Sequence, residues 1–126
     1  MDSKLQIGII GENQLIVAEK DTAKSFGSGL LEVFATPAMI NMMENTAHKS
    51  VADFLPEGTS TVGTHVDVAH IKATPMGMIV RCCSKLVAID GRKLTFQVEA
   101  YDESGKIGEG THTRFIIDIQ KFMSKL

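Results

Sequence analysis

The chain has 126 residues, the length of one ordinary domain, so a single hydrophobic core is expected and 1–126 is read as one domain. At 44% hydrophobic and 22% charged residues, with a formal net charge of −2, the composition is that of a soluble globular protein without a basic field for nucleic acid. The N-terminal stretch MDSKLQIGIIGENQ carries one lysine and an apolar run from Ile7 to Ile10, too short for a signal region or a membrane span, which points to a cytoplasmic protein with no membrane partner.

In chain order, Gln14 to Glu19 is expected to form a short strand. Thr36-Pro37 then marks a helix start, because threonine can cap free backbone N–H groups and proline at the first helical position gives up no needed donor. The helix is expected from Pro37 to Phe54, and Leu55-Pro56-Glu57-Gly58 ends it, since the residue before a proline is pushed out of helical geometry. Val62 to Lys72 alternates as a strand, with Val62, Thr64, Val66, Val68 and His70 on one face and His65, Asp67 and Ile71 on the other. Met78 to Ile89 and Arg92 to Tyr101 read as two more strands, joined through Asp90-Gly91, a dipeptide that favours a type I′ hairpin. A hairpin at Asp102 to Gly105 leads into a long last strand, Lys106 to Ile119, in which Gly108 and Gly110 suggest a bulge or a close backbone approach. Cys82 and Cys83 are adjacent on a strand, so they point to opposite faces and read as reduced packing residues.

A strand, a long helix and four antiparallel strands outline an α+β chain in which an antiparallel sheet wraps around one central helix, the hot-dog fold. At 100° per residue, Ile40, Met43, Ala47, Val51 and Phe54 share one stripe of the helix, and Glu44 falls inside it. An ionised carboxylate is costly in a core without a partner. His70 lies on the strand face expected to meet the same helix. Either residue alone reads as structural, with Glu44 leaving for the helix flank or a subunit interface and His70 hydrogen-bonded in the core. Together, a carboxylate and an imidazole on facing surfaces suit general acid–base chemistry. Thr36 lies eight residues before Glu44, a rise of about 12 Å, so an imidazole, a water or a second subunit has to bridge them, and plain N-capping is the structural alternative for Thr36. His65, Asp67 and His112 are scattered over strands without a ligand motif, so no metal site is expected.

The segments EVFATPAMINMMENTA, VGTHVDVAHIKATPMG, DGRKLTFQVEAYD and KIGEGTHTRFIIDIQKF resemble the fluoroacetyl-CoA thioesterase family of the hot-dog superfamily. The most specific element is the joint spacing of a threonine before the helix, a glutamate eight residues on and a histidine 26 residues after that. The resemblance implies hydrolysis of an acyl-CoA thioester with Thr36, Glu44 and His70 as the catalytic set and Gly63 and Arg114 in contact with substrate. It implies no cofactor beyond the coenzyme A carried by the substrate. His70 would serve as general base or acid, Glu44 would orient the imidazole or attack the acyl carbon, and Thr36 would place water or act as nucleophile. The Ala38 N–H at the helix start is a candidate oxyanion donor, whereas Pro37 has none to offer.

The resemblance also implies a homodimer or higher assembly, which would cover the exposed sheet edge. One departure bears on the substrate. The family's fluoroacetyl-specific members carry phenylalanines in a lid before the helix, where this chain has Phe26-Gly27-Ser28-Gly29-Leu30-Leu31, so a more mobile, more permissive opening and a small or medium acyl group are expected. The rival readings are a noncatalytic acyl-CoA-binding module and an enoyl-CoA hydratase on the same fold.

Overall fold

The computed structural model describes residues 4–126. The first three residues, part of the N-terminal stretch read above for a signal region, lie outside the described residues. Five strands, β1 (Ile10–Ile16), β2 (Thr59–His70), β3 (Ile79–Asp90), β4 (Lys93–Asp102) and β5 (Gly105–Asp118), form one antiparallel sheet in the order β1-β3-β4-β5-β2. Among the described residues three α-helices accompany it: α1 (Ala23–Phe26), the 17-residue α2 (Thr36–Ala52) and α3 (Ile119–Ser124). Among the described residues no helix is long and apolar enough to cross a membrane.

Strand β4 is central and shows the alternation that one buried face demands, with Leu94, Phe96, Val98 and Ala100 turned inward and fully buried. Helix α2 crosses this inner face, chiefly against β3 and β1 and least against β5. Its buried stripe is Met39, Met42, Met43, Thr46, Ala47 and Val51, rotated slightly from the expected one. Ile40 and Glu44 fall at the half-buried margin, and Phe54 lies beyond the helix end, 38% exposed. Helix α2 sits off-centre on the sheet, and its Met39 lies against Gly108 of β5. Flexible thioether side chains fill such an uneven surface well.

Several boundaries moved for local reasons. The first strand is β1, earlier than Gln14 to Glu19, because Asp21 accepts a bond from the Ala18 N–H and Thr22 caps α1, turning Glu19–Asp21 into a 3-10 turn. The last strand stops at Asp118 because its carboxylate caps α3, accepting from the Lys121 N–H. The hairpin between β3 and β4 pairs Asp90 with Lys93, leaving Gly91-Arg92 as its two loop residues. Gly91 has φ 60° and Arg92 does not have positive φ, so the turn has the II′ signature in place of the expected I′. Cys82 is buried, and Cys83 sits half-buried on the opposite face; both are free, and burial pushes the Cys82 thiol up to about 11.

Candidate active site

Thr36 begins α2 but does not cap it. Ala35 holds the cap position with extended backbone and makes no side-chain bond, while Thr36 and Pro37 are already helical. The Thr36 hydroxyl is thus released from capping, and its Oγ1 lies 2.7 Å from Nδ1 of His70, the last residue of β2. The other ring nitrogen of His70, Nε2, is buried without a hydrogen-bond partner among the described residues. Burial holds the imidazole below its ordinary value, offset in part by the Lys72 backbone, so the ring is mostly neutral at pH 7 and ready to take a proton.

One brace holds both ends of this contact. The Phe34 N–H, two residues before Thr36, donates to the Thr74 carbonyl at 2.8 Å, and Val33 pairs with Pro75. Thr74 is fully buried, and its hydroxyl donates to Asp102 Oδ2 at 2.9 Å. Asp102 also accepts from the Ser104 N–H at 2.7 Å and pairs with Lys72 Nζ at 3.4 Å. The carboxylate at the end of β4 therefore ties together the segment entering α2 and the segment leaving His70. Beside the pair opens a cleft of about 310 Å³ lined by Ala23, Ser28, Val33, Phe34, Pro37 and Ala73 in addition to Thr36 and His70.

The lid segment before α2 folds back on α1. Gly27 ends α1 at φ 71°, the Ser28 N–H donates to the Ala23 carbonyl, and the Lys24 N–H donates to the Leu31 carbonyl. These bonds fix the base of the loop and leave Leu30 at its tip, 91% exposed. The aromatic of this region, Phe26, sits on α1.

Glu44 stands elsewhere. It is half-buried on the flank of α2, and no hydrogen bond or ion pair joins it to His70 among the described residues. Its neighbours are Gly63, His112 and Arg114: a Cβ built on Gly63 would lie 2.9 Å from Glu44 Oε2 and 3.2 Å from both Arg114 Nη1 and His112 Cε1. An open pocket of about 220 Å³ here is lined by Asn41, Glu44, Asn45, His48 and Arg114. The expected pairing of Glu44 with His70 inside one protomer is thus replaced by two clusters, Thr36 with His70 and Glu44 with Gly63 and Arg114.

A β-bulge explains the split. The β2–β5 register shifts between Gly63 and His65. An extra residue reverses which side chains face inward, so Thr61 and the Cβ direction of Gly63 face inward before the bulge, and Val66, Val68 and His70 do so after it. Unbroken alternation had put Val62 and Thr64 on the His70 face instead. Gly110 on β5 is constrained similarly, because a Cβ there would collide with the Asp67 carbonyl. His65 and Asp67 are exposed on β2 whereas His112 turns inward, so the three do not converge.

With this geometry in hand, comparison with known proteins is specific. The model of the fluoroacetyl-CoA-specific thioesterase family, FlK, matches residues 17–120. The chain belongs to this family. It is 39% identical over 95 residues to the fluoroacetyl-CoA thioesterase of Streptantibioticus cattleyicolor, covering 75% of this chain and 68% of that protein. A solved structure of the fluoroacetyl-CoA thioesterase FlK superposes with a TM-score of 0.91 at 31% identity, covering 96% of this chain and 94% of that one. A thioesterase superfamily member from Thermus thermophilus gives 0.88 at 28% identity, covering 95% and 89%. The protein is an acyl-CoA thioesterase of the hot-dog superfamily, as the family resemblance implied.

Periodicity could not have found Asp102, Thr74 or His112. Asp102 reads as a turn residue and Thr74 as loop, and their contact exists only because the β4–β5 hairpin meets the segment after β2. His112 gave one signal, its i, i+2 spacing with Arg114, which places both on one strand face.

Proposed function

We propose that the chain hydrolyses small or medium acyl-CoA thioesters at a composite site formed by two copies of itself. The observation that carries this reading is the separation of the functional groups: Thr36 and His70 meet at 2.7 Å, while Glu44 stands apart with Gly63 and Arg114. Strand β2 is an edge of the sheet, and Gly63, Thr64, His65, Asp67 and Ala69 are exposed along it. An edge strand presents a row of unpaired backbone groups, and antiparallel pairing of two β2 edges about a two-fold axis would satisfy them. The same pairing would bring Glu44 of the partner subunit toward Thr36 and His70.

In that arrangement His70, neutral at pH 7, takes a proton from water or from the Thr36 hydroxyl and returns it to the departing CoA thiolate. Glu44 of the partner subunit balances the imidazolium or attacks the acyl carbon itself, in which case water then cleaves an acyl-enzyme. The Ala38 N–H at the start of α2 and the Arg114 guanidinium are the donors available to the negative charge that grows on the thioester oxygen. The cleft walls are largely hydrocarbon, from Val33, Phe34, Pro37 and Ala73, and the preceding segment exposes Leu30 and Leu31 where the fluoroacetyl-specific members carry phenylalanines. This lining supports plain or branched hydrocarbon acyl groups over a fluorine-selective pocket.

Release of free CoA thiol from a panel running from acetyl through branched and phenylacetyl to medium-chain acyl-CoAs tests the reading, with sedimentation run in parallel. Turnover by a dimer that disappears in His70→Ala is expected. Tight acyl-CoA binding without thiol release in the wild type would favour a noncatalytic binding module.

A further inference from the structure

His112 and Arg114 lie two residues apart on β5 and both face inward, at 1% and 7% exposure. A buried imidazole has two ring nitrogens to satisfy, and here each has a partner. Nδ1 lies 2.8 Å from the His65 carbonyl, and Nε2 lies 3.1 Å from Arg114 Nη1. A carbonyl only accepts and a guanidinium only donates, so the partners dictate the proton: Nδ1 carries it and Nε2 offers its lone pair. An imidazolium would set an Nε2–H against a guanidinium N–H, two donors and two like charges in a buried place. Burial holds His112 below its ordinary value, the His65 carbonyl opposes this, the Arg114 charge adds to it, and Glu44 opposes it again.

Arg114 is anchored on its other sides. Its Nε donates to Thr61 Oγ1 at 2.7 Å and its Nη2 donates to the Thr61 carbonyl at 3.0 Å. With Nη1 also bonded to His112, one Nη1 hydrogen remains beside the space above Gly63, the space that Glu44 Oε2 borders from α2. Around the pair stand Glu44 and His48 from α2 and His65 from β2, while Phe96 from β4 stacks on the His112 ring at a centroid distance of 6.4 Å.

We propose that His112 is a positioning residue of the thioesterase site, a neutral imidazole clamp that holds Arg114 through Nε2 so that its remaining Nη1–H faces the space between Gly63 and Glu44. The inference rests on the assignment of that space to the substrate. His112 acts through Arg114, fixing the direction of a positive group before negative charge develops on the attacked thioester, so that no reorientation is needed during the reaction.

Two substitutions and one spectrum test this. His112→Gln keeps an acceptor for Arg114 and a donor for the His65 carbonyl, whereas His112→Leu keeps bulk and loses both. His112→Leu is expected to lower kcat about 10- to 100-fold with KM little changed, the size expected when a group near the chemistry is misplaced, and His112→Gln is expected to restore most of the loss. Melting temperatures read alongside separate this from loss of fold. A long-range ¹H–¹⁵N imidazole spectrum of the wild type, expected to show the Nδ1–H form of His112 at neutral pH, needs no substitution and no turnover. A wild type without thioesterase activity would overturn the proposed reaction, while the spectrum would still decide the clamp. An Nε2–H tautomer, or a folded His112→Leu protein with wild-type kcat, would overturn the inference.

Discussion

Replacing Gly63 with alanine places one methyl group in the space that Glu44, Arg114 and His112 share. The new Cβ would lie 2.9 Å from Glu44 Oε2 and 3.2 Å from Arg114 Nη1 and His112 Cε1, against ordinary contacts of 3.4 Å and beyond. The carboxylate is then 0.5 Å too close and the other two groups 0.2 Å too close. Glu44 is the flexible member and gives way, because His112 and Arg114 are held by bonds to Thr61, to His65 and to each other. Gly63 has no positive φ, so alanine adopts its backbone without strain and gains about 0.4–1 kcal/mol of chain entropy, against about 1–3 kcal/mol of overpacking. The net loss is at most about 2.6 kcal/mol, a shift of several degrees in Tm that leaves the protein folded at 25 °C. Displacement of a reacting group by a fraction of an ångström to 1 Å is expected to lower kcat/KM about 10- to 100-fold, or about 1.4–2.8 kcal/mol of transition-state stabilisation. Initial rates of thiol release and thermal melts in one buffer measure both quantities. Wild-type kcat/KM in a protein of unchanged Tm would refute the placement of the reaction beside Gly63.

Three further outcomes are expected. Thr36→Val removes the hydroxyl that meets His70 but no cap bond, so kcat should fall about 100-fold or more while Tm stays nearly constant; a drop in Tm with intact turnover would return Thr36 to a capping role. Asp102→Ala strands the buried Thr74 hydroxyl and should cost about 1–3 kcal/mol in a denaturant titration. Burial pushes the Asp102 carboxyl up but is outweighed by the bonds from Ser104, Thr74 and Lys72, so its folded value lies below the ordinary one, and the stability it confers is complete above about pH 4 and lost as pH falls through the folded value. His48, His70 and His112 are all held below their ordinary values, each with burial as the largest cause, so the unfolded chain binds more protons just below pH 6.5; stability should be full above about pH 6.5 and decline on acidification, and replacing His112 with Gln should flatten that decline.

The α+β architecture, the long helix and the four strands that follow it were legible in the sequence because they rest on local regularities: alternation along β4, a helical stripe along α2, and glycine or proline at the turns; the family was legible from the resemblance of whole segments. Glu44 and His70 stood out as ionisable residues on apolar faces, while Gly63 and Arg114 entered only through the family resemblance. Their grouping was not legible. That Thr36 meets His70 while Glu44 meets Gly63 and Arg114 is a result of packing, since one bulged residue in β2 reverses the inward face and the seat of α2 brings Glu44 to the β2 edge. Asp102 and His112 took on roles through partners far away in the chain, Thr74 and His65, and contacts of that kind leave no period in a sequence. Periodicity records which side of its own element a residue occupies, whereas a site depends on which elements the packing brings together.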